Sequence, residues 1–209
     1  MATQMMTKQP DREYRNLSSL LAPPTDAERH KRLDSNFYVE GYAAKFERFL
    51  LWEYNDSKYY EELAPGAFDH AEMSDVIMQY DHQGKVLARL TNSTLGIDVD
   101  ETGLFMFADL SKSTAAKELY EEITVGLITR MSWAFTVEDV SVERLDEHTY
   151  LRTITQIKKV YDVSAVSIPA NDDTEILARS FVAGNIEAEQ RELVARQARI
   201  LTLKIKMEV

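Results

Sequence analysis

No cysteine occurs among the 209 residues. Disulfides, cysteine-ligated metals and a cysteine nucleophile are therefore excluded, and the composition fits a reducing cytoplasm. Glycine is scarce, with seven residues scattered singly, so no glycine-rich loop is available to cradle a phosphate. No apolar run approaches the roughly 18 residues of a membrane span. The polar stretch Met1–Pro10 lacks the apolar centre of a secretory signal, so neither export nor membrane insertion is expected. Basic residues are outnumbered, 24 against 35 acidic ones, for a net charge of -11. That balance argues against a broad nucleic-acid-binding face, which needs clustered Lys and Arg. No His-x-x-x-His or Asp-x-Asp-x-Asp-Gly spacing is present, and neither a metal nor another cofactor is expected. The Gly-x-Ser-x-Gly elbow is missing as well, which removes the hydrolase fold built on that turn.

What is present divides into three stretches. Residues 1–36 carry Pro23-Pro24, nearly balanced charges and little periodicity, and read as a flexible tail, a propeptide or a partner-binding arm. Residues 37–180 hold the folded domain. Phe37–Phe46 is aromatic and β-prone and begins it, and Leu50–Tyr54 forms a short second element. The acidic stretch Tyr59–Glu72 contains a Pro65-Gly66 turn. Val76–Tyr80, Val86–Leu90, Thr94–Val99 and Leu104–Leu110 read as strands, the last two joined as a hairpin by Asp100-Glu101-Thr102-Gly103. Ala116, Leu119, Tyr120, Ile123 and Leu127 then switch to helical spacing, with Ser113 or Thr114 as cap and Gly126 as stop. Met131–Val137, Val140–Arg144, Tyr150–Lys159 and Val160–Ile168 return to β-type patterning. Many short strands around one internal helix favour an α+β fold built on a closed or nearly closed barrel. Residues 185–209 read as a C-terminal helix with a narrow apolar stripe through Ile186, Leu193, Val194, Ile200, Leu201 and Ile205. Such a stripe suits docking on the same domain or pairing with a second chain.

Few residues are available for acid–base chemistry. The histidines are His30, His70, His82 and His148. His30 lies in the tail, His70 in an acidic loop and His148 in the polar turn Asp146-Glu147-His148-Thr149. His82 ends the apolar run Val76–Tyr80, beside Gly84, where a strand end exposes a side chain on a fixed backbone; surface and structural roles remain open there. Ser132 is a lone hydroxyl in the apolar run Met131–Phe135. It reads either as a buried serine bonded to a carbonyl or as a nucleophile served by a base. Asp162 interrupts an alternating apolar strand, where an acid needs a partner. A histidine would serve, as would Arg130, Arg152 or Lys158, or exposure on the outer face. The acids Glu53, Asp56, Glu61, Glu62, Asp69, Glu72 and Asp75 read as a solvated surface, and Trp52 and Trp133 as core.

In order along the chain stand Val39-Glu40-Gly41-Tyr42-Ala43, Glu62-Leu63-Ala64-Pro65-Gly66-Ala67-Phe68, Asp81-His82, Val86-Leu87-Ala88-Arg89 and Gly103-Leu104-Phe105. They are followed by Gly126, Met131-Ser132, Phe135, Asp162-Val163-Ser164 and Pro169-Ala170-Asn171. This series resembles the caudovirus prohead serine protease family, which is similar in fold to the herpesvirus assemblins. The resemblance implies a small, mostly antiparallel β-barrel of about seven strands surrounded by helices. It implies a serine endopeptidase with Ser132 as nucleophile, His82 as general base and Asp162 as third member, where many relatives carry glutamate. By analogy with assemblins, oxyanion donors fall near Ala170 and Asn171, with the Ser132 backbone or the Arg130 side chain as alternatives. The implied partners are the major capsid protein and a scaffold protein, cut inside the assembling prohead in the host cytoplasm. Self-cleavage and a homodimer are further implications. The competing expectations are a catalytically inactive assembly factor that keeps the barrel and binds capsid or scaffold, and an unrelated small β-barrel with a ligand pocket.

Overall fold

The structure, a computed structural model, describes residues 12–20, 31–54 and 56–167. The C-terminal helix expected over 185–209, with Ala170 and Asn171, lies outside the described residues, as does His30. The elements run β1 (Glu13–Leu20), β2 (Tyr38–Lys45), β3 (Phe49–Tyr54), β4 (Ser57–Leu63), β5 (Ile77–Tyr80), β6 (Gln83–Arg89), β7 (Leu95–Val99), β8 (Gly103–Asp109), α1 (Thr114–Thr124), β9 (Arg130–Arg144) and β10 (Thr149–Val166). A short 3-10 turn, Leu90–Asn92, links β6 to β7.

The strands form two sheets. The larger has the order β1-β9-β10-β4-β3, with β5 also paired to β10 and β6 paired to β5. The smaller is β2-β8-β7. The expected class, α+β and mostly β, stands, but the described residues do not close a barrel, and only one α-helix accompanies the sheets. The pairing is also less uniformly antiparallel than expected. The long strand β10 pairs in parallel with β4 through its first part and with β5 near its end. One strand thus takes two successive neighbours along a single edge, and the larger sheet branches there.

The local elements follow their sequence signals closely in the middle of the chain. Ser113 caps α1 by accepting the Ala116 N–H at 3.1 Å, which satisfies a donor that the first turn leaves free. Ala116, Leu119 and Ile123 turn inward. Gly126 follows with φ 76°, the left-handed conformation that ends helices without a side-chain penalty. The β7–β8 hairpin forms as expected. At its turn, a Cβ on Gly103 would lie 2.0 Å from the Ala44 carbonyl oxygen, so only glycine lets β2 and β8 approach there.

Three expectations change. The four short β segments between 131 and 168 merge into two long strands, β9 and β10, paired antiparallel along most of their length. Charged pairs such as Glu138-Asp139 mark irregularities in the ladder rather than strand ends: both residues are exposed, and the register shifts between Ile154 and Lys159 absorb them. The acidic stretch before Pro65 contains a strand, β4, whose Glu61 is 1% exposed rather than solvated. Within the tail, Glu13–Leu20 forms β1 on the free edge of β9.

The last two changes have one cause. Arg15 of β1 binds both oxygens of Glu61, at 2.5 and 2.8 Å. Arg152 of β10 also binds Glu61, and it reaches the Glu13 carboxylate at 2.8 and 3.0 Å. The Arg15 guanidinium closes the ring on Glu13 at 2.6 Å. Two cations and two anions therefore neutralise one another where isolated charges would be costly. Burial alone would raise the Glu61 pKa, but Arg15 and then Arg152 more than offset it and hold the carboxyl below its ordinary value. For Arg15, burial opposes the charge and Glu61 and Glu13 restore it, so its pKa is raised.

Glu61→Ala strands two buried guanidiniums on one carboxylate and is expected to cost about 3–5 kcal/mol in urea unfolding. Its neighbour Glu62, paired to the half-exposed Arg48, should cost under about 1 kcal/mol when changed to alanine. Equal losses for the two would contradict the assigned network. Separately, burial pushes the Asp109 carboxyl up, but hydrogen bonds from Ser35, Ser111 and Lys112 outweigh it and bring the pKa from 3.8 to about 2. The folded value lies below the unfolded one, so this stabilisation is present above the unfolded pKa and disappears as pH falls through the folded value. Unfolding free energy should therefore decline through that acid interval, and less steeply in Asp109→Asn.

Candidate active site

The ladder between β9 and β10 sorts side chains onto two faces. Met131, Trp133 and Phe135 of β9 lie opposite Ala165, Val163 and Val160 of β10. All six belong to the main core. The residues between them, Ser132 and Ala134, lie opposite Ser164 and Asp162 and share the other face. Plain alternation would put Val160 on the same face as Asp162. The register instead advances two residues on β10 for one on β9 between Val160 and Asp162. This bulge at Tyr161 reverses the parity of the strand, keeps Val160 in the core and turns Asp162 to the face of Ser132. Bulges commonly re-aim side chains next to functional sites.

His82 arrives from the β5–β6 hairpin. Tyr80 and Gln83 are paired, which leaves Asp81 and His82 as a two-residue turn with φ values of 48° and 58°. Two successive positive φ values mark the hairpin turns normally built from Asn, Asp or Gly. Each costs a bulkier residue about 1 kcal/mol. The turn is held from outside. The Asp81 N–H donates to the Ala165 carbonyl at 2.9 Å, and the Asp81 carboxylate accepts from the Ser167 N–H and hydroxyl at 2.9 and 2.8 Å. The aspartate of Asp81-His82 thus ties the histidine-bearing turn to the end of β10.

These constraints bring His82 and Asp162 together. Nδ1 of His82 lies 2.5 Å from Oδ1 of Asp162, and Ser164 Oγ donates to the same oxygen at 2.7 Å. A carboxylate can only accept these bonds, so Nδ1 carries a hydrogen, and in the neutral imidazole the lone pair is on Nε2. Asp162 and Ser132 are 2% and 1% exposed. Arg152, weighed above as a partner for Asp162, is engaged by Glu61 and Glu13 instead, and Arg130 and Lys158 are exposed. Both His82 Nε2 and Ser132 Oγ are buried without a hydrogen-bond partner. His70 and His148 are exposed. Among the described residues no group of His, Asp and Glu could hold a metal ion.

Two contacts of this site carry no assignment from the sequence: the bond of Ser164, which stands in the Asp162-Val163-Ser164 motif, to Asp162, and the ring of Tyr14 against His82. Ser164 shares the parity of Asp162, so a period of two could have flagged it. Tyr14, 68 residues from His82, has its ring centroid 4.7 Å from the imidazole, edge-on at 68°, and no local signal announces that contact.

A double-mutant cycle tests the Asp162–Ser164 bond. Asp162→Ala leaves Ser164 and His82 without their acceptor and should cost about 1–3 kcal/mol in urea unfolding. Ser164→Ala on that background should cost at least about 0.5 kcal/mol less than it does alone. Simple additivity would mean that the bond contributes nothing.

No curated protein and no solved structure matches the sequence significantly. The caudovirus prohead serine protease family matches residues 25–188, a stretch that contains Ser132, His82 and Asp162 together with the two long strands and the hairpin that carry them. The chain belongs to the caudovirus prohead serine protease family.

Proposed function

We propose that the chain is an active serine endopeptidase in which Ser132 attacks, His82 moves the proton and Asp162 orients the imidazole. The observation that carries this reading is the pair of buried, unpartnered atoms. Buried polar atoms are nearly always hydrogen-bonded, and leaving one unpaired costs roughly 1–3 kcal/mol. Ser132 Oγ and His82 Nε2 are both left so, as is Thr136 Oγ1 further along β9, while Nδ1 of His82, Oδ1 of Asp162 and Oγ of Ser164 are bonded. The two atoms make no hydrogen bond to each other either, so passing the proton from Ser132 to Nε2 requires them to close to hydrogen-bond reach when substrate binds.

The chemistry follows from the tautomer. Ser132 Oγ attacks the carbonyl carbon of a peptide bond as its proton passes to Nε2. Asp162 stabilises the imidazolium through Nδ1–H. Collapse of the tetrahedral intermediate breaks the C–N bond, Nε2–H protonates the departing amine, and an acyl ester remains on Ser132. Water, deprotonated by Nε2, then hydrolyses the ester and regenerates the hydroxyl. Backbone donors near Ala170 and Asn171 are proposed to hold the oxyanion, by analogy with assemblins.

The family ties this activity to maturation of the phage prohead. The proposed substrates are a scaffold protein, the scaffolding segment of the major capsid protein, and the protease itself, cut inside the assembling shell in the host cytoplasm. A homodimer is part of the same proposal.

Co-expression with the major capsid protein, followed by intact-mass analysis of both chains, tests the reading. Wild type should trim the capsid protein, and Ser132→Ala should leave it whole while unfolding at the same urea concentration. Asp162→Asn should slow trimming by about 10⁴-fold. Trimming by Ser132→Ala would remove Ser132 as nucleophile. Association with the capsid protein and no trimming by wild type would favour the inactive assembly factor.

A further inference from the structure

Strand β1 has two faces with two different jobs. Glu13, Tyr14 and Arg15 lie opposite Phe135, Ala134 and Trp133 of β9. Side chains directly opposite one another in an antiparallel pair share a face. Glu13 and Arg15 therefore fall on the core side, where they meet Glu61 and Arg152, and the Arg15 guanidinium lies 5.5 Å above the Phe135 ring. Tyr14 falls on the side of Ala134 and Asp162, against the His82 ring.

The pairing of β1 is irregular beyond Leu17, and an edge strand is prone to slip. The buried charges remove that freedom. A slip of one residue would push the tyrosine into the core and leave Glu61 and Arg152 without Glu13 and Arg15. The register that satisfies the charges is the register that sets Tyr14 against His82. The imidazole needs a lateral support, because its turn fixes the backbone but leaves ring rotation to the side chain. Asp162 restrains one nitrogen, and the edge-on tyrosine, in a geometry that aromatic pairs favour, restrains the ring plane.

We propose that Tyr14 is a positioning residue for His82, and that the Glu13–Arg15–Glu61–Arg152 network acts as the register lock that delivers it. The proposal rests on the reading of His82 as the base. It makes β1 a working part of the site rather than a disposable leader. Self-processing of the N-terminal region would then spare residues 13–20, because a cut within them would separate Tyr14 from the lock or from the rest of its strand.

The test uses the full chain as wild type, Tyr14→Ala and Tyr14→Phe. Two readouts are taken: the rate at which a fluorophosphonate labels Ser132 across pH, and the far-downfield proton signal of His82 Nδ1–H bonded to Asp162, assigned by its loss in His82→Gln. Tyr14→Ala should label about tenfold more slowly, and its downfield proton should broaden through exchange with water. Tyr14→Phe, which keeps the ring, should label within about twofold of wild type and retain the signal. On a peptide taken from the capsid cleavage site, the loss in Tyr14→Ala should fall on kcat rather than KM. If Tyr14→Ala does not fold, Tyr14→Leu replaces it and is judged in the same way. Wild-type labelling together with an intact downfield proton in the ringless variant would overturn the proposal. A wild type that never labels, but whose downfield proton is lost in Tyr14→Ala and kept in Tyr14→Phe, would uphold the positioning role and overturn Ser132 as nucleophile.

Discussion

The register between β9 and β10 is the constraint on which the rest of this protein depends. A strand changes face at every residue, so one register decides two environments at once. With Trp133 opposite Val163 and Ser132 opposite Ser164, aromatic bulk enters the core and the hydroxyls leave it. Trp133 stacks on Phe135 at 3.8 Å and meets Phe68 at 5.6 Å. Those contacts are available in one register only, so hydrophobic packing indirectly fixes where the serine points. Packing of this kind is non-directional in itself, yet the pleat converts it into a positional device.

The bulge at Tyr161 and the turn at Asp81-His82 add strain to that scheme, and both are tied down nearby. The bulge interrupts the ladder, while the Arg12 guanidinium lies 3.7 Å above the Tyr161 ring. The left-handed turn is fastened to the end of β10 through Ser167 and Ala165. Local strain persists at functional sites when the surroundings over-determine it. Here the surroundings are β10 itself, which supplies Asp162, Ser164 and the anchor of the histidine turn from one continuous strand. The acid, its hydroxyl partner and the histidine are therefore tied to one another, and β9 sets Ser132 opposite Ser164.

The buried ring of charges has a different character. Ion pairs in an interior do not by themselves add much stability, because desolvation offsets most of the attraction. Their value lies in specificity: Glu61 and Arg152, neighbours on parallel strands, have two further charges to satisfy, and only β1 in one register supplies them. This explains why the N-terminal stretch resisted a reading from composition. Balanced charge with little periodicity describes a solvated tail, and it equally describes a strand whose charges are paired with residues 46 and 139 positions away.

The sequence alone determined the local events. The capped helix ending at Gly126 and the β7–β8 hairpin depend on contacts within a few residues, and short-range spacing encodes them; β2, β3, β5 and β6 show β-type patterning locally, although β2 pairs with the distant β8 and β5 with the distant β10. The ordered motifs also named Ser132, His82 and Asp162, although residue context by itself left each of them open. The tertiary structure alone decided that Glu61 is buried, that β1 exists, that β9 and β10 run unbroken through charged interruptions, and that the described strands fall into two sheets without closing a barrel. Each of these depends on partners far apart in the chain. The cost of burying a charge or continuing a bulged ladder is offset only by those partners, and no window of neighbouring residues contains both sides of that balance.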